Sequence, residues 1–91
     1  MGRTAKHIIF TGRVQGIGFR FTALDMANRY KLTGRVCNLP DGTVEIIIQG
    51  HPDDIDNCIQ DIKDSFAGYI RETRIEEVTF DPQYKDFKIT F

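Results

Sequence analysis

Cysteine and histidine are scarce in this sequence, which has two of each among its 91 residues. Cys37 and Cys58 stand far apart in the chain, and no Cys-x-x-Cys or His-x-x-x-His pattern occurs. Metal-ligand and redox-pair spacings are therefore absent. We predict no disulfide, a core position for Cys58 on an apolar helix stripe, and a partly exposed thiol for Cys37. His7 and His51 are predicted to be surface residues.

Long apolar runs are also missing. No stretch approaches the roughly 20 residues that a membrane-spanning helix needs, and the first residues lack the apolar core of a signal peptide. Apolar residues make up 41% of the chain and charged residues 27%, which is typical of a globular domain. We therefore predict one domain over residues 1–91, located in the cytoplasm and without contact with a membrane.

Charge of one sign does not dominate the chain, because the formal net charge is only −1. Its distribution is uneven: residues 1–37 carry seven basic side chains against one acidic (net +6), and residues 38–91 five basic against twelve acidic (net −7). The positive potential of the basic half is expected to attract small anions. The alternative is that the asymmetry reflects solvated faces of opposite sign. With an isoelectric point near 6.1, a nucleic-acid binder that works by bulk charge is not expected.

What the sequence does contain is a glycine-rich stretch at residues 12–20, with glycines at positions 12, 16 and 18. An apolar strand runs into it, and an amphipathic helix is predicted to leave it. Glycine takes positive φ without penalty, so the backbone can turn tightly and present its N–H groups to an anion at the helix N-terminus. Arg20, at the mouth of that helix, can hold two phosphoryl oxygens with its planar guanidinium. A common glycine-rich turn beside a surface arginine is the alternative interpretation.

Two familiar phosphate-binding motifs are excluded by the residues that accompany these glycines. Phe19 and Arg20 stand where a P-loop needs its lysine, and no glycine at position 21 completes a dinucleotide fingerprint. No nucleophile or acid/base pair adjoins the stretch in sequence, so a phosphate compound cleaved there must already be activated. An acyl phosphate meets that requirement, because its carboxylate leaving group departs without a general acid.

The rest of the chain shows alternating strand and helix patterns. Strands are predicted at residues 6–11, 35–38, 43–49, 75–80 and 87–91, and helices at 21–32 and from Pro52 to Phe66. Gly34 is expected to end the first helix, Pro40-Asp41-Gly42 to turn a hairpin, and residues 67–73 to form a loop. This order predicts an α+β fold: a ferredoxin-like split βαβ sandwich, with two helices on one face of an antiparallel sheet of four to five strands.

Residues 12–20 read Gly-Arg-Val-Gln-Gly-Ile-Gly-Phe-Arg and resemble the acylphosphatase signature Gly-x-Val-Gln-Gly-Val-x-Phe-Arg, with Ile17 as one conservative change. Residues 34–45 are similar to a second family segment, Gly-x-Val-x-Asn-x-x-Asp-Gly-x-Val-Glu. The resemblance implies that Arg20 binds the phosphate and that Asn38 orients the attacking water, which an amide can do without ionising. Taken alone, Asn38 would be interpreted as a turn residue. The resemblance assigns phosphate binding to Gln15, Gly16, Ile17, Gly18, Phe19 and Arg20.

The resemblance implies a cytoplasmic acylphosphatase in which Arg20 and Asn38 are catalytic. Its partners would be a small-molecule acyl phosphate as substrate and inorganic phosphate as product and competitive inhibitor, without nucleic acid or membrane. No metal or cofactor is expected, and the protein is expected to be a monomer. Arg35, Cys37 and Thr90 depart from residues that are frequent in the family, and rate or specificity can differ there.

Two other functions are compatible with the sequence pattern. The same glycine-rich stretch would also suit a non-catalytic module that binds a phosphate-bearing ligand. An RNA binder of the same fold class is less favoured, because the third strand offers Ile46 to Ile48 and no aromatic pair for base stacking.

Overall fold

The computed structural model describes residues 2–91, which form five strands and two helices. The order of these elements along the chain is the predicted one. In chain order they are β1 (Thr4–Gly12), α1 (Phe19–Arg29), β2 (Thr33–Asn38), β3 (Val44–Gly50), α2 (Pro52–Ser65), β4 (Ile70–Val78) and β5 (Phe87–Ile89).

The five strands form one sheet in the order β4-β1-β3-β2-β5. β1 runs antiparallel to both β3 and β4, and β2 runs antiparallel to β3. β5 pairs with β2 in parallel, so the sheet is mixed, although most of its pairs are antiparallel. The predicted α+β sandwich of two helices on a sheet is confirmed, with the parallel fifth strand as a refinement.

The core lies between the sheet and the two helices. The register places Ile8 opposite Ile46 and Phe10 opposite Val44, and all four side chains are fully buried. This arrangement follows from strand alternation, which directs every second side chain to the same face. The helices cover that face with their own buried residues, which are Phe19, Ala23 and Ala27 from α1 and Ile55, Cys58, Ile59 and Ile62 from α2. The prediction that Cys58 is a core residue is confirmed.

Phe19, the first residue of α1, anchors the start of that helix in the core. Its ring centroid lies 5.1 Å from that of Phe10 and 4.6 Å from that of Phe66. Burial of a phenylalanine side chain contributes about 1.5–3 kcal/mol, so this contact fixes where the helix begins. The residues on either side of Phe19 are positioned by it.

The end of α1 differs from the prediction. The helix ends at Arg29, and Lys31 takes the left-handed conformation (φ 56°) while the N–H of Leu32 donates to the carbonyl of Ala27 at 2.9 Å. The assignment of Gly34 as the end of the helix is therefore wrong, because this residue lies within β2. A Cβ at position 34 would come 1.9 Å from the carbonyl oxygen of Ile47, so close strand packing requires the glycine.

α2 begins at Pro52, as predicted. The N–H of Asp53 donates to Nδ1 of His51 at 3.3 Å, and two aspartates in the first turn complement the positive end of the helix dipole. His51 is exposed, as expected, and it also caps the helix.

The predicted loop at residues 67–73 is wrong in its second half. β4 begins at Ile70 and pairs with β1, with Thr73 opposite Phe10. The strand is an exposed edge and carries charged residues between its apolar ones, so its pattern lacks the apolar alternation of a buried strand. Within residues 2–91, no helix has the length and apolar character needed to cross a membrane.

Candidate functional site

The glycine-rich stretch is an irregular connection between β1, which ends at Gly12, and α1, which begins at Phe19. Val14 and Phe19 are buried and hold its two ends, while Gly16 and Gly18 take positive φ angles of 77° and 81°. Gly18 is the N-cap of α1 and offers no side chain to the first helical turn, which also lacks acidic residues. The N-terminal N–H groups of α1 are therefore not capped by a side chain and can bind an anion.

A cavity of about 80 Å³ opens beside this connection. We call it the loop cavity, and its lining residues are Val14, Gly16, Gly18, Phe19, Arg20, Phe21 and Asn38. The cavity brings together two segments that are 18 positions apart in sequence, the start of α1 with Arg20 and the end of β2 with Asn38. Of the residues predicted to bind phosphate, Gln15 and Ile17 do not line it.

Arg20 is partly exposed and has no carboxylate within ion-pair distance among residues 2–91. Its guanidinium carbon lies 5.5 Å from the centroid of the Phe91 ring. An aromatic ring attracts the cation but does not neutralise it. The loop cavity therefore contains a positive charge that is not paired with a protein anion.

Asn38 ends β2, where it is paired with Val44 of β3. Its Oδ1 atom is buried and accepts no hydrogen bond from residues 2–91. The two other buried polar side-chain atoms of this kind belong to Thr4 and Thr11, which do not line the loop cavity. An unpaired buried acceptor costs about 1–3 kcal/mol, so a water or ligand in the cavity would stabilise Asn38 by donating to it.

Gln15 makes a contact that the sequence did not reveal. Its Nε2 donates to the carbonyl of Leu39 at 2.8 Å and to the carbonyl of Thr43 at 2.9 Å. Both acceptors belong to the β2–β3 hairpin turn that follows Asn38. The side chain of Gln15 therefore connects the glycine-rich connection to the segment that carries the asparagine, and only the three-dimensional pairing shows this.

The hairpin turn is stabilised by Asp41. Its Oδ1 accepts hydrogen bonds from the hydroxyl of Thr43 at 2.6 Å and from the N–H of Thr43 at 3.0 Å. These bonds lower the pKa of the Asp41 carboxyl below its usual value, because they stabilise the charged form. Asp41 is committed to the turn and does not line the loop cavity.

The face of the sheet that the helices leave uncovered carries a charged cluster with one residue on each of β1, β2 and β3. Glu45 lies 2.9 Å from Nε2 of His7 and accepts from Nη1 of Arg35 at 2.7 Å. These contacts, from His7 first and Arg35 second, hold the pKa of Glu45 below its ordinary value. We call His7, Arg35 and Glu45 the sheet-face cluster. His7 is only partly exposed, which refines its assignment as a surface residue.

Neither cysteine is available as an exposed thiol. Cys37 is buried under the sheet-face cluster, with its Sγ 3.4 Å from Nη1 of Arg35, so the prediction of a partly exposed thiol is wrong. Burial raises the pKa of Cys58 to about 12, which keeps this thiol protonated near neutral pH. No group of three or more His, Cys, Asp or Glu side chains within residues 2–91 is arranged to hold a metal ion.

The family model and the curated relatives identify this chain as similar to acylphosphatases. The family model named Acylphosphatase matches residues 6–89. An acylphosphatase of Bordetella parapertussis is 39% identical over 82 residues, covering 89% of this chain and 87% of that protein. An acylphosphatase of Chlorobaculum tepidum is 37% identical over 84 residues, covering 91% of each.

Solved structures show the same similarity. The crystal structure of acylphosphatase from Bacillus subtilis superimposes with a TM-score of 0.87 at 28% identity, covering 97% of this chain and 99% of that one. Full-length HypF in a phosphate- and nucleotide-bound form gives a TM-score of 0.86 at 33% identity. That match covers 99% of this chain but only 12% of HypF.

Proposed function

This chain belongs to the acylphosphatase family and is an enzyme that acts on acyl phosphates, and we propose that Arg20 and Asn38 divide the work of hydrolysis between them. Arg20 and the N–H groups of the glycine-rich connection bind the phosphoryl group, and Asn38 orients the water. The observation that carries this proposal is the loop cavity, where an unpaired cation and an unpaired buried acceptor line the same small space.

The cation and the uncapped helix start support phosphoryl binding. Three phosphoryl oxygens need several donors, and the guanidinium fork of Arg20 supplies two in the geometry that a phosphate requires. The N–H groups beside Gly18 supply others without needing to ionise. In a loose transition state, where the negative charge lies on these oxygens, such fixed donors provide most of the stabilisation.

The free acceptor of Asn38 supports water orientation. A water that donates one proton to Oδ1 directs a lone pair away from Asn38 and towards the phosphorus atom of a substrate bound next to Arg20. The new P–O bond forms as the bond from phosphorus to the acyl oxygen breaks, and that oxygen leaves with the electron pair as a carboxylate. The products are the carboxylate, inorganic phosphate and one proton released to solvent.

We further propose that the enzyme needs no metal, acts as a monomer, is inhibited by inorganic phosphate and works in the cytoplasm. No metal is needed because the donors at the loop cavity come from the protein itself. Inorganic phosphate competes with the substrate, because it presents the same oxygens to Arg20. Two free thiols that remain unpaired are consistent with the reducing conditions of a cytoplasm.

The test is the release of phosphate from acetyl phosphate by the purified chain and by Arg20→Gln. The parent protein should turn over and the variant should not, while both melt at similar temperatures because Arg20 makes no ion pair within residues 2–91. Folded parent protein without turnover would contradict the proposal and favour a module that only binds phosphate.

A further inference from the structure

Phe21 combines two properties that the proposed mechanism does not use. It lines the loop cavity, and its side chain is 70% exposed. Phe19, two residues earlier, is buried in the core, so the geometry of the helix fixes Phe21 on the solvent side of α1. A ligand that covers this exposed ring removes apolar surface from water, which favours binding.

The volume of the loop cavity limits what can enter it. At about 80 Å³ it is roughly half the size of a cavity of about 150 Å³ that accommodates benzene. This space suits a phosphoryl group and a water but leaves no room for a sizeable acyl group as well. With the phosphoryl group next to Arg20, the rest of the substrate must project through the opening, where Phe21 lies.

Among the side chains that line the loop cavity within residues 2–91, that of Phe21 is exposed, and the partly exposed Arg20 precedes it in the chain. The ring of Phe91 lies against the Arg20 guanidinium and is itself fully exposed. Within residues 2–91, the only charged side chain that lines the loop cavity is that of Arg20. In the proposed function this side chain binds the phosphoryl group. An acyl group that extends past Arg20 therefore meets an apolar ring, and an aromatic or branched aliphatic group would cover more of the Phe21 ring than an acetyl group does.

We infer that Phe21 determines specificity by contacting the acyl group, so that the enzyme favours acyl phosphates whose acyl group is apolar and larger than acetyl. The inference rests on the proposed function in one respect, namely that the phosphoryl group occupies the loop cavity. It adds the chemical class of the substrate, which the contacts of Arg20 and Asn38 do not define.

The experiment compares two phosphonates that cannot be hydrolysed, methylphosphonate and benzylphosphonate, by isothermal titration calorimetry. The parent protein should bind benzylphosphonate on the order of tenfold more tightly, because the benzyl ring covers Phe21. Phe21→Ala should lose most of this preference, and Phe21→Leu should keep most of it because leucine is also apolar. Tyr69→Ala is the control, since Tyr69 is an exposed aromatic residue that does not line the loop cavity.

An equal preference in the parent protein and in Phe21→Ala would overturn the inference, and so would a parent protein that binds both phosphonates equally well. Acetyl phosphate turnover by the parent, measured in parallel, separates this result from the proposed function. Turnover without a benzyl preference contradicts the inference alone. A benzyl preference that depends on Phe21, without turnover, supports the acyl contact and contradicts hydrolysis.

Discussion

Two arginines of this protein occupy opposite electrostatic surroundings. Arg35 donates to Glu45 at 2.7 Å within the sheet-face cluster, whereas Arg20 has no carboxylate partner within residues 2–91 and lines the loop cavity. A charge that forms an ion pair within the folded protein makes its electrostatic interaction there, and this interaction contributes to stability. An unpaired charge in a cavity remains available to bind a ligand of opposite charge. We propose on this basis that the sheet-face cluster serves stability and the loop cavity serves function, and the following predictions test this proposal.

The largest effect is expected at Arg20. Arg20→Lys should lower kcat/KM for acetyl phosphate by about 10³-fold or more, because a point charge does not reproduce the guanidinium fork. The melting temperature should stay near the parental value. The control is Arg13→Lys, since Arg13 is exposed on the same connection but does not line the loop cavity. Retention of most activity by Arg20→Lys would show that two-point binding is not required.

Gln15→Ala should produce an intermediate effect. It removes both hydrogen bonds to the β2–β3 hairpin turn, so Asn38 and the glycine-rich connection lose their fixed separation. We expect kcat/KM for acetyl phosphate to fall about tenfold and stability to fall by about 1 kcal/mol. Gln60→Ala, which removes an exposed glutamine from α2, provides the control. Parental kinetics in Gln15→Ala would remove this side chain from the organisation of the cavity.

A smaller effect, on stability alone, is expected from Glu45→Gln in the sheet-face cluster. Because the folded pKa of Glu45 lies below its unfolded value, the carboxylate contributes stability above the unfolded pKa and loses this contribution as the pH falls through the folded pKa. At pH 7 the variant should be less stable by about 1 kcal/mol, or roughly 4–8 °C in melting temperature. The difference in stability should shrink as the pH falls below the ordinary pKa of a glutamate. A difference that persists unchanged at lower pH would contradict the charge-based explanation.

No effect is expected from chelation. If the donors of the loop cavity come from the protein alone, exhaustive dialysis against a chelator should leave the hydrolysis of acetyl phosphate unchanged. Activity that disappears on chelation and returns with added magnesium or zinc would contradict the proposed mechanism.

The fold could be predicted from the sequence where local patterns reflect burial. The α2 stripe and the alternation of Val44, Ile46 and Ile48 in β3 are of this kind, since these side chains face one core. The pattern predicted a strand at residues 75–80 but missed the beginning of β4 at Ile70, where an exposed edge strand is held by hydrogen bonds to β1 and not by apolar burial. It also failed at Gly34, whose role depends on how closely the backbone of Ile47 in β3 approaches.

Part of the candidate site could also be predicted from the sequence. Arg20 and Asn38 could be named because their segments resemble a known family, and the loop cavity places them together as lining residues. The bonds of Gln15 to Leu39 and Thr43 connect positions 24 and 28 residues apart, which no local pattern reports. The burial of Cys37 depends on Arg35 and Glu45 in the folded sheet, so it also required the structure.

We propose that Arg20 holds the phosphoryl group while Asn38 orients the water, and Asn38→Ala separates these two roles. Steady-state kinetics with acetyl phosphate should show a kcat lower by about 10²–10³-fold, because one positioning group is lost from the transition state. The inhibition constant of inorganic phosphate should remain near the parental value, and Asn57→Ala on the exposed side of α2 should match the parent in both quantities. A parental kcat in Asn38→Ala, or a fall in kcat matched by an equal loss of phosphate affinity, would contradict the division of roles.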